Sequence, residues 1–554
     1  MKKYFKFIFI LPVLIMASCS EEFVTIPVQD ASTSGNFFKS EVDVRAATAA
    51  LYGSPWFQFN DKFNWAAGEE LAGNLYHTWD QEGQFFYYSY NAGNAHIRSG
   101  WLSLYRVVAI ASSIINDMPV FATTIPQDVQ DRAIAEAKFA RAVAYFILTE
   151  FWGEVPIVEN VTAKVVNNEV SNPKNTKESI YEFIKRDLEF AASKLPLTDT
   201  PGRATQWSAK GYLAKTYLTM AQYYSKKDAT KATEFFNKSK TIAADVIDNS
   251  GLKLMENYAD LFLMENNNNP ESLFAIQFMQ GSYSIGNSLQ ANFARSSLIT
   301  GNTEAWGGGK CMTYDFLQDV NPNDKRKSAI YMDLGDVYPD INKANGGYKY
   351  FIVNRDPSDP NKVLEGASPT LNHLKKYVVG SAQDHPGKVS TGQATAINQY
   401  MLRLADVYLV YVEAAIGLGD NTSDGKALGY LNTIRNRAGL PAKTSVTFRE
   451  LLKERRVEFG MESMYWYDIK RFFYRDQTAA VDMLSNQKRE YVFDRDQSST
   501  AADENTKAGY VLRIAGNNGV VPFNPANINV PIPASEVVLD PMLAPDVPAV
   551  DYNF

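Results

Sequence analysis

The chain reads as a mainly α-helical protein: tetratricopeptide-like stacked helix pairs in a right-handed superhelix, carrying a loop-rich insertion with short strands. Three observations predict this. Apolar residues recur at spacings of three and four in long stretches of both halves, two of those stretches share residues at a fixed offset, and the middle is punctuated by Gly, Asn and Pro.

Residues 1–18 come first and are no part of that fold. Lys2, Lys3 and Lys6 precede an apolar run from Phe7 to Ile15, and Ala17 and Ser18 close it, which is the pattern of an export signal. The run falls short of the roughly 18 to 20 residues that span a bilayer as a helix, and no later stretch is expected to reach that length. Cys19 follows Met16-Ala17-Ser18 in a pattern that resembles a lipobox, so cleavage leaves Cys19 as a lipidated N-terminus, although Met16 stands where Leu is commoner. Glu21 and Glu22 resemble the surface-export signal of Bacteroidetes lipoproteins and imply an outer-membrane anchor facing outward. Residues 19–40 then form a polar tether.

The N-terminal helical part spans 41–251. From Asp131 to Trp152, Phe139, Val143, Phe146, Ile147 and Phe151 make one apolar face, and alanines at 133, 135, 137, 140, 142 and 144 admit a close neighbour. Asn175 with Glu178 three residues on marks a helix start, and Tyr181, Ile184, Leu188, Ala191 and Leu195 form its stripe before Pro196. Trp207 to Tyr224 and Phe235 to Ile247 give two more. Residues 137–148 and 209–220 match at an offset of 72, twice the tetratricopeptide period of about 34 residues.

Residues 252–397 form the insertion, with Asn266 to Asn269, Gly307 to Gly309 and a Pro-rich turn at 356–362. The C-terminal helical part, 398–554, offers helices over 399–418, 425–437 and 447–473, with a capping box at Thr447 and Glu450 and a stop at Gly439 and Pro441.

Composition narrows the function. With Cys19 acylated, Cys311 is the one mature cysteine and no intramolecular disulfide can form, so 554 residues at 45% hydrophobic composition must supply a large core instead. Loss of the signal lysines takes the formal charge from -7 to -10, which argues against nucleic acid as a partner. The segment 307–311 lacks a phosphate loop's leading Gly and its Ser or Thr. The segment 420–425 opens like a calcium loop, but Leu431 stands where the bidentate Glu belongs. Histidines at 77, 96, 373 and 385 have no zinc spacing. No catalytic residue, metal or cofactor is therefore assigned; the 62 acidic residues leave carboxylate pairing open, because separation in space decides it. The charges Glu454, Arg455, Arg456, Glu458, Glu462, Asp468 and Arg471 sit at helical spacings and read as an ion network fixing helix register.

The candidate site is the aromatic stretch 74–94, where Tyr76, Trp79, Phe85, Phe86, Tyr87, Tyr88 and Tyr90 fit neither helical nor strand periodicity. Flat rings beside Asn74, Asp80, Gln84 and Asn91 suit the C–H faces and hydroxyls of sugars. Tyr283, Trp306 and Tyr314 offer a second wall from the insertion.

Several segments together resemble the SusD/RagB family of nutrient-binding lipoproteins. Residues 69–74 (EELAGN), 101–115, 136–158 (running into Gly-Glu-Val-Pro), 402–414, 431–441, 451–472 and 529–537 (NVPIPASEV) follow one another in family order. Gly73 stands where a hydroxyl residue is common, and the tail lacks the usual Asn-Pro-Gly-Tyr-like ending. The resemblance implies oligosaccharide capture for a SusC-like TonB-dependent transporter, with Asn74, Trp79, Asp80, Tyr88, Asn91, Tyr283 and Trp306 at the ligand. An oligopeptide ligand is the alternative within the same architecture.

Overall fold

A computed structural model describes residues 37–169 and 171–554. The export segment, Cys19 and nearly all of the tether lie outside the described residues.

The helices stack in chain order. After α1 (Glu41–Ala49) come α2 (Ala95–Phe121), α3 (Gln127–Trp152), α4 (Lys177–Lys194), α5 (Gln206–Tyr224) and α6 (Ala229–Asn249), each from α2 onward packed on the next. The alanines of α3 are buried on several sides, which lets α2 and α4 approach it closely. Caps set the starts: Asn94 opens α2, Asp228 opens α6, and Thr205 with Ser208 closes a capping box on α5. The cap of α4 is Thr176, not Asn175. Asn175 is drawn away because its Oδ1 accepts the Ile157 N–H at 2.8 Å.

By length and composition α2, at 27 residues, could cross a membrane, which corrects the expectation that no later stretch could. Its Ile97, Trp101, Leu104, Val108 and Ala111 are instead buried within the protein core, and the helix packs on α3.

The second helical block holds α7 (Leu404–Ile416), packed on α6, followed by α8 (Gly425–Arg437), α9 (Phe448–Glu458) and α10 (Tyr465–Arg475). Two sequence expectations are corrected here. Residues 399–403 are a strand, antiparallel to Ser272–Ile276, so the helix begins only at Leu404. The run 447–473 breaks between α9 and α10, where Met461 and Ser463 have φ of 66° and 64°. The break lets Gly68 meet Ser463 so closely that any β-carbon at 68 would overlap it.

The charged motif is structural. Arg403 is buried and binds Glu271 at 2.8 Å, Glu458 at 2.6 Å and Glu462 at 2.9 Å. Arg455 binds Asp406 at 2.7 Å and Asp468 at 2.9 Å, while Arg471 holds Glu413 at 2.8 Å. These bonds tie the start of the insertion, α7, α9 and α10 into one register. The main apolar core runs from Val44 to Val530 across both helical blocks and the insertion, and a small second cluster joins Ile352, Leu371 and Tyr510.

Candidate functional site

The aromatic loop and the insertion meet through a two-residue strand pair, with Leu75 opposite Met312 and Tyr76 opposite Cys311. This pairing sets the loop after Tyr76 beside the turn Gly307 to Gly309.

Three large rings of the loop and the insertion stay exposed: Trp79 at 41%, Tyr283 at 47% and Trp306 at 44%. Each is braced from beneath. The Trp79 indole lies on Gly309, where a β-carbon would collide with it, and stands edge-on to His77 at 4.3 Å between centroids. The Tyr283 hydroxyl donates to Asp61 Oδ2 at 2.5 Å, and its ring meets Phe57 edge-on at 4.7 Å. Asp61 also accepts the Ser288 hydroxyl at 2.6 Å. The next residue, Lys62, places its Nζ 5.8 Å from the Trp306 ring centre while donating to Asn292 Oδ1 at 2.7 Å and pairing with Glu82 at 2.9 Å. A chain of contacts therefore links Tyr283, through Asp61 and Lys62, to Trp306 and back to the loop at Glu82.

The charges under the rings are balanced. Burial alone would raise the Glu82 carboxyl, but hydrogen bonds from His96 and Lys62 hold it well below the usual range. Burial, with the Lys62 charge, lowers the Lys310 amine to about 8. Burial and the Asp61 carboxylate push the Tyr283 hydroxyl up. The rings thus face solvent over paired charges, an arrangement suited to an uncharged ligand with apolar faces.

The candidates from sequence divide. Trp79, Tyr283 and Trp306 are all exposed, and Asp80 stays exposed next to Trp79 in the chain with φ of 58°. Asn74 and Tyr88 are corrected: both are interior. Asn74 donates to Glu69 Oε2 at 2.8 Å and accepts from Arg456 Nε at 2.8 Å, which consumes both ends of its amide. Tyr88 lies 4.3 Å beneath the Arg489 guanidinium, accepts a hydrogen bond from it, and meets Phe523 edge-on at 4.8 Å. Asn91 is exposed but lines a separate cavity with Trp152 and Asn529, to which none of the three rings contributes. Of the remaining rings, Phe85 and Phe86 are core, Tyr90 is buried with its hydroxyl on the Asn527 carbonyl at 2.6 Å, and Tyr314 stacks on Tyr491.

Sequence reasoning missed the braces Asp61, Lys62, Glu82 and Asn292, and the exposed Met279 and Ile285 beside Tyr283. No motif marks them; only the presence of two apolar side chains in a Gly-flanked loop hinted at the last two.

Stacked helix pairs that carry braced, exposed rings on a loop-rich insertion define the class, a binding protein on a helical scaffold. The chain belongs to the SusD/RagB family. The SusD family model matches residues 217–545, and a second, described as starch-binding associating with outer membrane, matches residues 40–218. A SusD-like protein of Bacteroides ovatus is 33% identical over 98% of this chain and 97% of its own length. SusD-like protein P2 of Formosa agariphila is 26% identical over 85% of this chain and 91% of its own. A crystal structure with xylogluco-oligosaccharide is 33% identical, has a TM-score of 0.80, and covers 92% of this chain and 99% of its own.

Proposed function

We propose that this protein captures oligosaccharide on the face formed by Trp79, Tyr283 and Trp306 and delivers it to a SusC-like TonB-dependent transporter. The observation that carries this reading is the exposure of three large rings that are each fixed by a contact beneath. Fixed rings lose little freedom on binding, so their stacking against sugar C–H faces is not offset by ordering. Asp80 at the rim supplies an acceptor for ring hydroxyls. The open face suits a long, neutral chain better than a monosaccharide, because each added ring contributes contact area.

The relative solved with xylogluco-oligosaccharide supports a neutral β-glucan-type ligand. In this reading Cys19 is acylated and holds the protein on the outer membrane, facing outward, and residues 19–40 give it reach. Capture involves no bond making or breaking, so the protein works as a carrier and not as an enzyme.

Calorimetry of residues 20–554 against neutral oligosaccharides, including xylogluco-oligosaccharide, and against oligopeptides tests this. Binding of at least one neutral oligosaccharide is expected, and silence toward all of them with peptide binding instead would reject it. Replacing Cys19 by Ala should move the protein from the membrane to the soluble fraction.

A further inference from the structure

We propose a second ligand site, apart from the aromatic face, that takes the uronate end of an acidic oligosaccharide. It is the cavity of about 640 Å³ between residues 90–92, the end of α3 and the segment 526–545, within the roughly 300–1,000 Å³ of small-molecule sites.

Its wall is rich in hydrogen-bond donors. Trp152 is 4% exposed, held by stacking on Phe63 at 4.7 Å, and its Nε1–H has no hydrogen-bond partner. A buried indole N–H without a partner is costly unless a ligand meets it. Lys174 and Lys177 line the same cavity, and both are held by neutral oxygens rather than carboxylates: Lys174 donates to the Ala544 carbonyl at 2.7 Å and Lys177 to the Tyr474 hydroxyl at 2.7 Å. Behind them Lys470 donates to the Ile528 carbonyl at 2.9 Å and to the side chain of Asn529, itself a lining residue.

Two carboxylates face these three amines. Glu154 lines the cavity, and Glu150 lies beneath, held by the Tyr181 hydroxyl at 2.6 Å. Glu178, which also acts on Lys177, is paired with Lys227 at 3.1 Å. Burial lowers both the Lys177 and the Lys470 amines, only partly opposed by Glu150. A ligand carboxylate would restore their charge and take up their unspent N–H groups. The amide of exposed Asn91 at the mouth offers the forked donor and acceptor that vicinal ring hydroxyls need.

The site does not depend on capture at the aromatic face, and the two can fail separately. The test uses the Trp79→Ala/Trp306→Ala double variant, which removes that face and leaves the cavity untouched. Calorimetry compares a xylo-oligosaccharide bearing one glucuronic acid with its neutral counterpart and with a short peptide bearing a free C-terminal carboxylate. The acidic oligosaccharide should bind at least tenfold more tightly than the other two. Adding Lys177→Gln should weaken it at least tenfold, and adding the exposed Asn91→Ala, which spares the core, about threefold. Equal binding of the neutral oligosaccharide, preference for the peptide, loss of acidic binding in the double variant itself, or indifference to both Lys177→Gln and Asn91→Ala would overturn the proposal.

Discussion

Gly309 lies against the indole of Trp79 so closely that a β-carbon at 309 would overlap the ring's Cη2. The glycine fixes the height of the ring above the insertion, and the ring's far edge is what must yield if a methyl group arrives. Gly309→Ala should therefore tilt Trp79 out of the face and weaken oligosaccharide binding about tenfold. A sugar face covering roughly 60 Å² of ring contributes about 1.5 kcal/mol. Calorimetry measures the affinity, and an unchanged melting temperature separates the effect from unfolding.

Tyr88 gives the opposite pattern. Its hydroxyl accepts from Arg489, which also donates to the carbonyls of Glu70, Leu71 and Phe86 at 2.6 to 2.9 Å and to Gln487 Oε1 at 3.0 Å. Tyr88→Phe should leave oligosaccharide affinity unchanged and lower stability by about 1–2 kcal/mol, read by urea unfolding.

Glu70 and His77 meet at 2.8 Å in the interior, where burial disfavours the charged form of each. Burial lowers His77 to about 3 and holds the Glu70 carboxyl well above its usual value. Below pH 6.5 the unfolded chain takes up a proton that folded His77 refuses, so stability present above 6.5 is lost as pH falls toward 3. Glu70 acts in the other sense: its folded form keeps a proton that the unfolded chain releases, so its contribution falls as pH rises above its usual value. His77→Gln should flatten the acid limb of a stability-against-pH curve, and Glu70→Gln should flatten the opposing slope.

The buried Arg403 binds Glu271, Glu458 and Glu462 and shares them with Arg326, Lys376 and Arg437. Arg403→Met would leave buried carboxylates short of a partner, at a cost of roughly 3–5 kcal/mol. Urea unfolding at neutral pH should show that loss.

What was legible in the sequence was local. The helices of both blocks follow from apolar spacing, and the capping box at Thr447 and Glu450 is in place. The failures come from distant partners. Strand 399–403 is a strand because Ser272–Ile276 pairs with it, and Asn175 is lost as a cap because Ile157 claims it. The site divides in the same way. Trp79, Tyr283 and Trp306 stand in loops with glycines nearby, and that pattern is visible. Tyr88 and Asn74 were misplaced because Arg489 and Arg456, which bury them, lie 401 and 382 residues further along the chain.

The most direct measurement is a calorimetric titration of a neutral oligosaccharide that the wild-type chain binds into the Trp79→Ala/Tyr283→Ala/Trp306→Ala variant, with melting curves to show that it is folded. Loss of detectable binding by a folded variant is the predicted result. Retention of wild-type affinity would contradict the claim that these three rings are where the sugar rests.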